Sequence, residues 1–374
     1  MKNIILSCLL LILSFTAVTQ EYTLLVGTYT KGKSTGIYIY DFNPTSAEAK
    51  KIDSVKTSNP SFLAVDHDNK YVYAVNENGA DKGGGITAYA FDKTTRKLTF
   101  INKQSSMGDH PCYVAVDKKD KFIAVGNYSS GTVAVFPIAP DGGLGTASIM
   151  MQHKGSGPDK KRQEGPHVHA TVFSPDNKYL FAPDLGLDKV VGYEFNAKTG
   201  TLKEKAITTL TAGSGPRHMD FHPSGKWVYV IQELSGSVTT FNYEKGTLKQ
   251  VHIISLLPEG ISNGSSADIH VSPDGKYLYA SNRNPTNTIT AFKINQTNGH
   301  LAVVGHIQTG GKTPRNFNFD PTGNLLLVAN QDSDNITIFK IDKETGLLTN
   351  TGKEINVPNP VCLKWIVTSS KKKK

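Results

Sequence analysis

Gly215-Pro-Arg-His-Met-Asp-Phe-His-Pro-Ser-Gly-Lys-Trp-Val-Tyr-Val-Ile-Gln-Glu-Leu234 contains the repeating unit of the chain. A short strand opens after Pro216, His222 to Lys226 makes a tight turn, and a second strand of alternating large apolar residues ends at Glu233. An antiparallel hairpin sets the start of its first strand beside the end of its second. Arg217 and Glu233 are therefore expected at one end of one hairpin.

Working outward, the same unit recurs along the chain. Opening strands follow Pro60 (SFLAVD), Pro111 (CYVAVD), Pro166 (HVHATVF), Pro216 (RHMDF), Ser266 (ADIHV), Pro314 (RNFNF) and Pro360 (VCLKWI). Second strands begin at Leu24, Tyr71, Phe122, Tyr179, Trp227, Tyr277 and Leu325, and turns such as Pro-Ser-Gly-Lys and Pro-Asp-Gly-Lys join most pairs. Third strands such as GITAYAF and NITIFKI follow, and fourth strands come after Thr-Gly-x-Leu turns. Seven copies of four strands at a period near 50 predict an all-β, seven-bladed β-propeller of antiparallel blades. The N-terminal copy lacks its first strand and the C-terminus ends on an orphan one, Val361 to Ile366, so the two ends are expected to share a blade and close the ring.

Composition agrees with a turn-rich globular β-protein: 34 glycines, 9% aromatic and 20% charged residues among 374, with a hydrophobic content of 38% that is low for parallel sheets buried on both faces. Residues 1–19 have one Lys, a short apolar run and small residues at Ala17 and Thr19, the pattern of an export signal, with an uncleaved anchor as the alternative. The propeller is expected over 20–368, followed by a Lys-rich tail, 369–374, and the protein is expected to be exported, periplasmic or secreted, with no membrane-integral segment once the signal is cut. Cys112 and Cys362 alone make no disulfide framework and read as small buried apolar residues. Discounting Lys2 and Lys371 to Lys374 reduces the net charge from +9 to +4. With no stretch interleaving Lys/Arg and aromatics, a nucleic-acid partner is not expected.

In a propeller the starts of first strands and the ends of second strands converge on one mouth of the central channel. Most second strands end on Asn, including Asn127, which reads as structural or, in the minority of cases, as a ligand contact. Three consecutive repeats depart from this pattern with His167 and His169, Arg217 and Glu233, and Arg283. The polar segment 154–165, with Lys160, Lys161 and Arg162, reads as a basic flap over the same mouth or as a plain surface insertion. His167, His169 and Glu233 have a competing reading as a zinc site, but no thiolate or further carboxylate accompanies them, so no metal is expected.

Gly155-Ser-Gly-Pro158, Arg162-Gln163, Gly165-Pro-His-x-His169, Gly215-Pro-Arg-His218, Glu233-Leu234 and Ser272-Pro-Asp-Gly-Lys-Tyr-Leu-Tyr-Ala-Ser-Asn-Arg283 together resemble the seven-bladed lactonase family. That family includes propeller-type 6-phosphogluconolactonases and fungal carboxymuconate lactonising enzymes, and the likeness covers nearly the whole chain after residue 20. It implies a cofactor-independent site at the channel mouth that handles an anionic sugar lactone. The catalytic candidates are His167, His169, Arg217 and Glu233, and the substrate-binding candidates are Arg283, Arg162, His218 and Asn127. Glu233 or a neutral His167 or His169 would activate water, Arg217 would stabilise the oxyanion, and Arg283 with Arg162 would hold the substrate's anion. No Gly-x-Ser-x-Gly elbow is present. A non-catalytic propeller that binds a polymer or protein, and an enzyme running toward ring closure, are the alternatives.

Overall fold

A computed structural model of the chain describes residues 18–371 apart from 80 and 82, and side chains within 20–368. Most of the expected export signal and the end of the Lys tail therefore lie outside the described residues. Twenty-eight strands form seven four-stranded antiparallel sheets, and among the described residues there is no α-helix. Blades 1 to 6 span 63–105, 111–152, 172–209, 216–255, 266–308 and 314–356, and blade 7 joins 18–56 to 360–371. The ring closes where Val18–Thr28 pairs antiparallel with Pro360–Lys371, with Leu24 opposite Trp365 and Val26 opposite Leu363.

This closing strand is twelve residues long, not the six read from Val361 to Ile366. Apolar alternation stops near Val367, but backbone pairing continues through Thr19 with Ser370 and Val18 with Lys371, because a ladder needs only partnered amides. Blade 3 differs the other way. Its inner strand is Val172–Phe173, and the preceding His167–Thr171 stretch is held by a single bridge from Val168 to Asp184.

The cores lie between blades. One cluster joins Leu24, Val26 and Tyr38 of blade 7 to Leu327, Ile336 and Ile338 of blade 6; another joins Tyr229 and Ile231 of blade 4 to Ile269, Leu278 and Phe292 of blade 5. A strand face buried against the next blade removes roughly 2 kcal/mol of apolar exposure per large side chain. Each blade thus depends on its neighbours, and the polar strand ends are left to meet at the axis.

Candidate functional site

The first strand of blade 4 places its side chains through a bulge. Pro216 pairs with Gln232, but the next partners are Met219 and Val230, so Arg217 and His218 together face one residue of the other strand. Similar shifts follow Pro111, Ser266 and Pro314. Such bulges re-aim side chains. Here the re-aimed residues help line a narrow axial cavity of about 10 Å³, whose walls include Cys112, His169, Arg217, His218 and Arg315, with Glu77.

Glu233 lies at the centre of an arginine cluster from three successive blades. Its Oε1 accepts from Arg162 Nη2 at 2.5 Å and its Oε2 from Arg217 Nε at 2.9 Å, and Arg283 Nη2 forms an ion pair with Oε2 at 3.0 Å. Burial pushes the carboxyl up, but Arg283, Arg217 and Arg162 outweigh it and hold Glu233 well below the usual carboxylate range. Burial pulls Arg217 down to about 10, with Arg315 adding to the shift, which leaves it cationic at neutral pH. The sequence placed Arg217 and Glu233 together, as found, but expected both at a wet mouth. Their side chains are only 2% and 5% exposed, because loop 154–165 and blade 5 cover them.

The histidines divide by environment. His167 stacks on Tyr128 with ring centroids 4.4 Å apart, and its backbone N–H donates to buried Asp184. His169 lines the cavity, and its Nδ1 lies 3.6 Å from Cys112 Sγ. Burial, then Arg217 and His218, push His169 well below the usual imidazole range, so it is neutral. Burial also pushes the Cys112 thiol up, so this Cys–His pair carries no thiolate nucleophile. His218 accepts from Arg217 Nη1 at 3.1 Å through Nε2 and donates through Nδ1 to Asp268 at 2.8 Å. Burial and Arg217 lower it to about 4, consistent with that neutral tautomer.

Two expectations need correction. The 154–165 segment is anchored at its C-terminal end, since buried Gln163 donates to Leu185 O and Asp188 while Arg162 reaches Glu233; Lys154, Lys160 and Lys161 are exposed. Asn127 is not at the cavity: its amide donates to Ser106 O and Thr132 Oγ1, which ties the strand end inside blade 2. The second strand of blade 3 ends on Asp184 where most others end on Asn, and this Asp holds His153, itself bonded to Tyr193, and the backbone of His167.

A second polar group was missed. Arg315 Nη2 donates to Tyr29 Oη at 2.9 Å, and that hydroxyl donates to Glu77, with 2.9 Å to each carboxylate oxygen. The signal was present: Pro314-Arg315 repeats Pro216-Arg217, and Glu77 follows its second strand as Glu233 does. Among the described residues, no group of three or more His, Cys, Asp and Glu is arranged to hold a metal.

The fold is a seven-bladed propeller with a buried carboxylate–arginine cluster beside its axial cavity. The family model described as "Lactonase, 7-bladed beta-propeller" matches residues 23–365, and the chain belongs to that lactonase family of enzymes. It is 39% identical to the 6-phosphogluconolactonase of Bacillus subtilis over 92% of this chain and 99% of that protein. It is 40% identical to the 6-phosphogluconolactonase of Formosa agariphila, over 89% and 96%. Among solved structures, the periplasmic gluconolactonase of Pseudomonas aeruginosa is 36% identical, with a TM-score of 0.88 over 92% of this chain and 99% of that one. No helix among the described residues is long and apolar enough to cross a membrane.

Proposed function

We propose that the protein hydrolyses a sugar lactone bearing phosphate or carboxylate at the axial cavity, without a cofactor. The observation that carries this reading is the cation excess: Arg162, Arg217, Arg283 and Arg315 gather around two carboxylates, Glu233 and Glu77, beside one cavity. Guanidiniums suit both a substrate's fixed anion and the oxyanion formed when water adds to the lactone carbonyl. Arg217, aligned by Glu233 and lining the cavity, is the oxyanion group. Arg283 and Arg162 hold the substrate's anion, and neutral His169 and His218 complete the wall. Glu233, with both oxygens engaged by arginines, orders those cations. A lactone is an activated ester, so direct attack by water needs no covalent intermediate.

Titration of the purified protein with 6-phosphoglucono-δ-lactone and with glucono-δ-lactone, following acid release, tests this. Turnover of at least one, unchanged by exhaustive chelation, is expected. Failure on both, with tight binding of a polymer or protein, would favour a non-catalytic propeller. The pattern of residues 1–19 and the periplasmic relative support export. Sequencing the N-terminus of the mature protein from the periplasmic or secreted fraction checks it, and a start at Met1 in the cytosol would overturn it.

A further inference from the structure

Opening a lactone by direct attack requires a group that takes a proton from water, and the carboxylate first suggested for this, Glu233, is poorly suited. Glu233 accepts charge-assisted N–H bonds on both oxygens, from Arg162 and Arg217, and pairs with Arg283 as well, so little basicity remains. Nor does Glu233 line the cavity. Glu77 does.

From this we infer that Glu77 is the general base of the reaction, positioned by Tyr29 and Arg315, an assignment that rests on the lactonase reading above. Glu77 follows the second strand of blade 1, Tyr71–Asn76; Tyr29 follows the second strand of blade 7, Val18–Thr28; Arg315 is on the inner strand of blade 6, Pro314–Phe319. These three blades face, across the axis, the three that supply the Glu233 cluster. The backbone N–H of Glu77 donates to Asn59 O at 3.0 Å, and Asn59 Nδ2 donates back to Glu77 O, which fixes the base of the side chain. One phenolic proton from Tyr29 is shared between the two carboxylate oxygens, leaving most of their lone pairs free. The Arg315 guanidinium donates to the same phenol and lies over its ring, 5.2 Å from the centroid, so the hydroxyl has one productive orientation. Tyr29, Glu77 and Arg315 are half-buried where Arg217 and Glu233 are buried, so water reaches this side of the cavity.

The proton and electron count closes with these groups. Glu77 takes a proton from water as the water oxygen bonds to the lactone carbonyl carbon and the carbonyl π pair moves onto its oxygen, beside Arg217. Collapse restores the C=O and breaks the bond to the ring oxygen, which leaves with the pair and takes the proton back from Glu77. The new carboxylic acid ionises into solvent, giving the acid release that an assay follows.

The test uses the full-length protein and whichever aldonolactone the wild type opens. Glu77→Gln should lower kcat about a hundredfold or more with KM within a few fold, and remove the acidic limb of the kcat–pH profile. Added formate should restore part of the rate to Glu77→Ala but none to Glu233→Ala. Tyr29→Phe should shift the acidic limb without abolishing it, as a positioning residue does. Circular dichroism and thermal melting confirm that each variant is folded. Wild-type turnover with undiminished Glu77→Gln, or a slowed Glu77→Gln that keeps the acidic limb, overturns the assignment alone. A wild type that opens no aldonolactone overturns the lactonase reading and this assignment with it.

Discussion

Arg217 carries its charge with almost no solvent contact because Glu233 Oε2, Ala267 O and His218 Nε2 each accept from its guanidinium. Removing one member of such a cluster leaves the others buried and uncompensated. Glu233→Gln and Arg217→Met are each expected to slow lactone opening by about two orders of magnitude. The double variant should lose less than the product of the two, since both act on one transition state. Glu233→Gln should also cost about 3 kcal/mol in denaturant unfolding, as the arginines lose their counter-charge. His218 gives a pH test. Its pKa of about 4 in the fold lies below that of a free imidazole, so the unfolded chain binds the extra proton first. That contribution to stability is present above about pH 6.5 and is lost as the pH falls toward 4. The melting temperature followed across this window should fall less steeply in His218→Gln.

At the scale of the element, the turns between third and fourth strands act as staples between blades. Gly142, Gly200, Gly246, Gly299 and Gly346 all have positive φ, and a Cβ on each would strike the aromatic that opens the second strand of the preceding blade: Tyr71, Phe122, Tyr179, Trp227 and Tyr277. Blade 7 has Ala47 at its turn with φ of 56°, and there blade 6 presents the smaller Leu325 in the same cluster. Gly299→Ala should destabilise by about 2 kcal/mol, from strain at positive φ plus the clash with Trp227. Gly225→Ala, with a φ of +70° and open space around it, should cost only the strain, about 1 kcal/mol. Equal losses in chemical denaturation would show that the stapled contact contributes nothing. The bulges after Pro111, Pro216, Ser266 and Pro314 are the other element-level device, because they put two residues of the inner strand where a regular ladder would put one.

For the whole molecule, closure rests on one pairing, Val18–Thr28 with Pro360–Lys371. Deleting Val361 to Ile366 should strip Leu24 and Val26 of their partners, expose the edge of blade 7 and abolish cooperative unfolding. A truncated protein with the wild-type melting transition would contradict this. Closure also has a chemical role, for it brings Tyr29 to Arg315, 286 positions away in sequence. The candidate site should therefore fail before the remaining blades unfold when the ring is opened.

The number of blades, their strands and the shared closing blade were readable in the sequence, because period-2 alternation and short turns are local and repeat seven times. So was the meeting of Arg217 with Glu233, since both belong to one hairpin whose pairing is set by its turn. The sequence did not determine that Arg162 and Arg283 from neighbouring blades would occupy the remaining sites on that carboxylate, nor that Tyr29, Glu77 and Arg315 would assemble opposite. Asn127 and Asp184 show the same limit: alike in position at a strand end, one is spent inside its own blade and the other holds His153 and the His167 backbone. Those outcomes depend on bulges that redirect side chains, on which groups lose water, and on a ring that brings distant strand ends within hydrogen-bond reach. Only the tertiary structure decides them, because burial and charge compensation belong to the assembled axis and not to any single repeat.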